Sequence, residues 1–71
     1  MKALITVENG KVFQMDTQAH LLTLLDSLGK PTTTLSLQRN PRVVPGFPFT
    51  FTCCDGLETM EGNVVQVIYC Q

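Results

Sequence analysis

Apolar and polar positions alternate with a period of two over Lys2 to Glu8, with Ala3, Ile5 and Val7 on one side and Leu4, Thr6 and Glu8 on the other. The alternation returns over Lys11 to Asp16, where Phe13 and Met15 fall together. This period marks strands with one buried face, so two strands are predicted. Asn9-Gly10 lies between them. A two-residue turn there would put Val7 opposite Val12 and send Phe13 and Met15 to the face away from Ile5. A three-residue loop, Glu8-Asn9-Gly10, with Gly10 left-handed, puts Ile5 opposite Phe13 and Ala3 opposite Met15 instead. That register collects the apolar set on one face and is the one expected.

Over Thr17 to Gly29 the pattern changes. Leu21, Leu24, Leu25 and Leu28 recur at i, i+3, i+4 and i+7, while His20, Thr23 and Ser27 fall on the other side. Asp16 or Thr17 can accept a first-turn N–H, Gly29 can end a helix and Pro31 prevents a restart. The expectation is one helix of about three turns, too short to stand alone in water and therefore packed on a sheet. Thr32 to Gln38 alternates again and stops at Asn40-Pro41. Val43-Val44 reads as a short edge strand and Pro45-Gly46-Phe47-Pro48 as a turn-rich connector. Phe47, Phe49, Phe51 and Cys53 then follow at a spacing of two. Cys54-Asp55-Gly56 reads as a turn and Leu57 to Glu61 as one helical turn. Val64 to Cys70 is nearly all apolar, as in a strand buried on both faces, and is placed in mid-sheet beside the first strand. The predicted class is α+β: a mixed four- or five-stranded sheet with one helix across one face. Leu21, Leu25 and Leu28 would then pack on Ile5, Phe13, Leu35 and Val67.

Seventy-one residues form a single domain over 1–71, near the lower limit for a self-sufficient core. Apolar residues are 44% and charged residues 15%, which leaves an unusually uncharged surface, some of it expected to be covered by a partner. Five Lys and Arg against six Asp and Glu give a net charge of −1 without a basic cluster, so nucleic acid is not an expected partner. The longest apolar runs fall far short of the roughly 20 residues that span a bilayer, and no signal-peptide pattern opens the chain. The expectation is a cytoplasmic protein without a membrane partner. Cys53, Cys54 and Cys70 are odd in number and two are adjacent, so they are read as reduced thiols rather than a disulfide framework. Cys70, near the chain end, is the thiol expected to be exposed. No metal or cofactor is expected, because neither the count nor the spacing of thiolate clusters is present.

The spacing of Ile5, Gly10-Lys11, Phe13 and Met15 resembles the opening hairpin of ubiquitin-like β-grasp proteins. Within that group the chain is most similar to the small sulfur carriers of thiamin and molybdopterin biosynthesis. The likeness lies in the Leu-Leu-x-Leu-Leu segment ending in Leu28-Gly29, in Leu35-Ser-Leu-Gln-Arg-Asn-Pro-Arg-Val-Val-Pro45 and in Glu61-Gly-Asn-Val-Val-Gln-Val-Ile68. It implies the β-grasp fold and, for the carriers, sulfur transfer at a C-terminal Gly-Gly. Tyr69-Cys70-Gln71 stands here in that place. The carrier reading is therefore kept as an alternative.

No catalytic constellation can be named. His20 is the sole histidine, on the wet side of its segment, with no nucleophile or orienting group beside it. Asp16, Asp26, Asp55, Glu58 and Glu61 form no acid–base pair. The function expected is a non-catalytic interaction module that binds a protein partner, or weakly associates with itself, through the helix-free sheet face or an aromatic edge. The residues expected to carry it are Leu4, Thr6, Val12, Phe47, Phe49, Val64, Gln66, Ile68, Tyr69 and Cys70. A small phage- or plasmid-type inhibitor is a further alternative.

Overall fold

The computed structural model describes residues 1–70; Gln71, the last residue of the Tyr69-Cys70-Gln71 tail, lies outside them. Six strands follow one another: β1 (Lys2–Val7), β2 (Val12–Asp16), β3 (Leu21–Leu25), β4 (Pro31–Ser36), β5 (Pro48–Thr52) and β6 (Glu58–Cys70). They form one sheet in the order β4-β3-β2-β1-β6-β5, with every strand pair antiparallel. The described residues contain no helix, so the α+β, β-grasp and mixed-sheet expectations are corrected to an all-β fold.

The first hairpin has the expected register. Ile5 faces Phe13 and Ala3 faces Met15. Val7 N–H donates to Lys11 O at 3.1 Å across the three-residue loop, and Gly10 has φ +88°. The Asn9 side chain accepts the Lys11 N–H at 3.0 Å and fixes the turn.

The expected helix is a turn, a strand and a second turn. Asp16 Oδ1 accepts from the N–H groups of Gln18 and Ala19, at 3.1 and 3.3 Å, and Asp26 Oδ1 accepts from those of Leu28 and Lys30, at 2.9 and 2.8 Å. Each aspartate folds a hairpin turn, Asp16 where a helix cap is expected, and Gly29, at φ +80°, closes the second. Leu21–Leu25 between them satisfies period two as well as period 3.6. Leu22, off the helical stripe, is fully buried, whereas Leu28, on it, is 79% exposed. The packing of Leu21, Leu25 and Leu28 on the sheet is corrected accordingly: Leu22 enters the core and Leu24 packs against it. What decides the conformation is the neighbours: β2 and β4 satisfy the backbone of β3 on both sides, which an isolated three-turn helix could not match.

Leu57–Glu61 is likewise not a helical turn, because Glu58 to Glu61 belongs to β6, a strand of 13 residues. Its first half, through Asn63, pairs with β5, and its second half, from Val64, pairs with β1. The expected position beside β1 in mid-sheet is observed. Burial on both faces is not, since Val65, Ile68 and Tyr69 are exposed. Val43-Val44 lies in the irregular connector rather than in a strand, and the chain there makes a lone parallel bridge, Pro45 to Val64.

Register shifts interrupt the ladder at Thr6/Val7, Leu24/Leu25 and Pro48/Thr50. Such bulges add twist and bend. The sheet curls until its two edges touch at an antiparallel bridge between Leu37 and Cys53, where Gln38 N–H donates to Thr52 O at 3.1 Å and Cys54 N–H to Ser36 O at 2.9 Å. One face is thereby wrapped inside. It holds Ala3, Ile5, Val7, Phe13, Met15, Leu22, Leu37, Phe49, Phe51 and Val64. The rings of Phe13, Phe49 and Phe51 meet with centroids 5.4 to 6.2 Å apart.

Candidate interaction surface

A sheet that curls on itself needs no covering layer inside, and its other face is left to solvent. The pairing registers define what that outer face carries. Ile68, Leu4, Gln14, Thr23 and Thr34 lie opposite one another across five strands. A parallel row holds Gln66, Thr6, Val12, Leu25 and Pro31, and a third holds Cys70, Lys2, Asp16, Leu21 and Ser36. Lys2 and Asp16, directly opposite each other, are the only charged residues of the three rows. The remainder is aliphatic, hydroxyl or amide. Thr23 and Thr34 share a hydroxyl hydrogen bond at 3.1 Å, which ties β3 to β4 from outside.

Six of the residues expected on an interaction surface therefore come together here: Leu4, Thr6, Val12, Gln66, Ile68 and Cys70. Leu4, Thr6 and Val12 are half-buried, while Gln66, Ile68 and Cys70 are exposed. The others do not join them. Phe49 and Val64 are corrected, because both are core residues at 0% and 2% exposure; the bulge in β6 turns Val64 inward opposite Val7. Tyr69 faces the other way, paired with Ala3, at 60% exposure. Phe47 is exposed in the connector, away from these rows.

A feature the sequence reading missed lies beside β5. Both arginines of the chain, Arg39 and Arg42, line a cleft of about 360 Å³ with Asn40, Pro41, Thr50 and Glu58. The cleft opens because pairing between the two sheet edges ends at Gln38 and the chain peels away from Thr50. The Arg-x-x-Arg spacing in a proline-containing loop was the only trace of it in the sequence. Lys11, by contrast, pairs with Glu61 at 3.5 Å, a surface contact worth little.

The two adjacent cysteines and the histidine form no cluster. Cys53 is half-buried against the core while Cys54, its neighbour, is exposed, as alternation along an extended chain requires. His20 is exposed in the turn before β3, with φ 54°. Among the described residues no three His, Cys, Asp or Glu side chains gather as a metal site. Nor does any helix of these residues have the length and apolarity to cross a membrane. No protein-family model, curated protein or solved structure matches the chain.

Proposed function

We propose that this protein is a small non-catalytic module that works by binding a protein partner through the outer face of its sheet, centred on Leu4 and Ile68. The observation that supports this reading is the charge-poor surface spanning β6, β1, β2, β3 and β4, which no element of the described residues covers. Solvated antiparallel faces normally alternate charged and polar residues outward. Here Leu4, Val12, Leu21, Leu25 and Ile68 occupy outward positions. Burying a few aliphatic side chains of this kind contributes roughly 1.5–3 kcal/mol each before the cost of association is subtracted.

Affinity capture from extracts of the native host tests the reading. The wild-type protein is expected to retain a specific partner, and the variant carrying Leu4→Glu and Ile68→Glu to lose it while its circular dichroism spectrum stays native. Capture that persists in the variant would place the interaction elsewhere. An unfolded variant would assign the two side chains to structure rather than to recognition.

A further inference from the structure

The second half of β6 has an open side, and its backbone directions can be read from the ladder. Thr17 N–H donates to Met1 O and Val7 N–H to Lys11 O, both at 3.1 Å, so the odd-numbered residues of β1 direct their hydrogen-bonding groups toward β2. By alternation Lys2, Leu4 and Thr6 direct theirs toward β6, onto Cys70, Ile68 and Gln66. Val67 and Tyr69 must then direct their N–H and C=O groups away from β1. Nothing among the described residues receives them: β5 pairs only with Glu58 to Asn63, and the connector's bridge stops at Val64. The same short stretch holds exposed Val65, Ile68 and Tyr69. No charged residue occurs from Asn63 to the end of the chain. Edge strands are usually guarded against pairing by lysine, proline or a covering segment, and among the described residues this one has none of the three.

We infer that this edge pairs with the same edge of a second copy of the chain, antiparallel about a two-fold axis at Val67, to form a homodimer with a continuous sheet. The occupant follows from self-complementarity. In that register Val67 meets Val67 of the second copy, Val65 meets Tyr69, and Gln66 meets Ile68. The two N–H and C=O sets of Val67 then satisfy each other, β-branched and aromatic residues face each other as favourable cross-strand pairs do, and no charges are opposed. A foreign strand would have to supply the same uncharged complement, which the second copy carries by construction. Pairing also joins the two outer faces edge to edge and doubles the surface around Leu4 and Ile68. Gln66 and Ile68 belong to both surfaces, whereas Val65, Val67 and Tyr69 belong to the dimer edge alone.

Sedimentation over a range of protein concentrations tests it. The wild type is expected to pass reversibly from monomer to dimer. Val65→Lys with Tyr69→Lys places like charges opposite each other twice in the dimer, so this variant is expected to stay monomeric, as is the variant with Glu at both positions. Mixing the two should restore a dimer containing one of each, because every Lys then faces a Glu. All are expected to keep a native circular dichroism spectrum, since both side chains are exposed. A wild type that remains monomeric throughout, a lysine variant that dimerises like the wild type, or a mixture that fails to pair would each overturn the proposal. Partner capture by the monomeric lysine variant separates the two readings: it would be retained even if the dimer were absent.

Discussion

Phe49→Ala is expected to remove most of the folded population at room temperature. Phe49 is fully buried, with its ring centroid 5.4 Å from those of both Phe13 and Phe51. It also packs one edge of the sheet against its middle: β5 is an edge strand, and Phe13 lies on β2, three strands away in the order. Truncating a buried phenylalanine costs about 3–5 kcal/mol, and losing aromatic pairing adds about 0.5–1.5 kcal/mol. A core in a chain this short rarely supplies more than about 3–5 kcal/mol of net stability. The loss therefore matches the whole. Urea unfolding followed by far-ultraviolet circular dichroism should show a cooperative transition in the wild type and little or none in the variant. A variant melting within about 5 °C of the wild type would contradict the aromatic cluster as the centre of the core, since about 1 kcal/mol already moves the midpoint of so small a domain by roughly 4–8 °C.

The second large effect is a contrast between two leucines. Leu22→Ala is expected to cost about 2–5 kcal/mol, whereas Leu28→Ala should stay within about 0.5 kcal/mol of the wild type. Leu22 has no exposure and lies within β3, while Leu28 sits at the tip of a turn with most of its surface in water. A helix over Thr17 to Gly29 demands the reverse, because Leu28 then belongs to the buried stripe and Leu22 to its flank. Thermal midpoints of the two variants, measured side by side, decide between the two conformations.

Why the sequence misleads at this segment and not elsewhere has a physical basis. Over β1 and β2 the period-two pattern is long enough to exclude a helix, and only one loop length puts Ala3, Ile5, Val7, Phe13 and Met15 on one face, so even the register is legible. Leu21-Leu22-Thr23-Leu24-Leu25 is too short and too uniformly apolar to distinguish the two periods. Its flanks are equally two-sided. An aspartate that accepts an N–H two residues on is as good an N-cap as a hairpin turn, and a glycine with positive φ ends a helix or closes a turn with the same geometry. The tie is settled by β2 and β4, which pair with the segment on both sides. Gly62-Asn63, a turn-type dipeptide, sits where one continuous strand changes partners from β5 to β1.

The outer surface was legible to the extent that alternation governs it. Leu4, Thr6, Val12, Gln66 and Ile68 follow from the parity of β1, β2 and the end of β6. Val64 does not, because the bulge beside it shifts the parity, and Phe49 does not, because curling turns an edge strand into a core wall. The cleft between Arg39 and Arg42 and the open side of β6 depend on where pairing stops, which no local pattern encodes.

An all-antiparallel sheet that closes on itself, with its outer face left free, underlies every functional statement above, and nuclear magnetic resonance contacts between α-protons test it most directly. Such protons approach closely only across antiparallel pairs that do not exchange hydrogen bonds with each other. Thr23 with Thr34 and Leu37 with Cys53 are two such pairs, given the hydrogen bonds of Leu37 to His20 and of Gln38 to Thr52. Strong α-proton contacts within both pairs, with strand-like chemical shifts through Leu21 to Leu25, are the predicted result. Sequential amide-to-amide contacts and helical shifts running from Thr17 to Gly29, with no contact between Leu37 and Cys53, would contradict it.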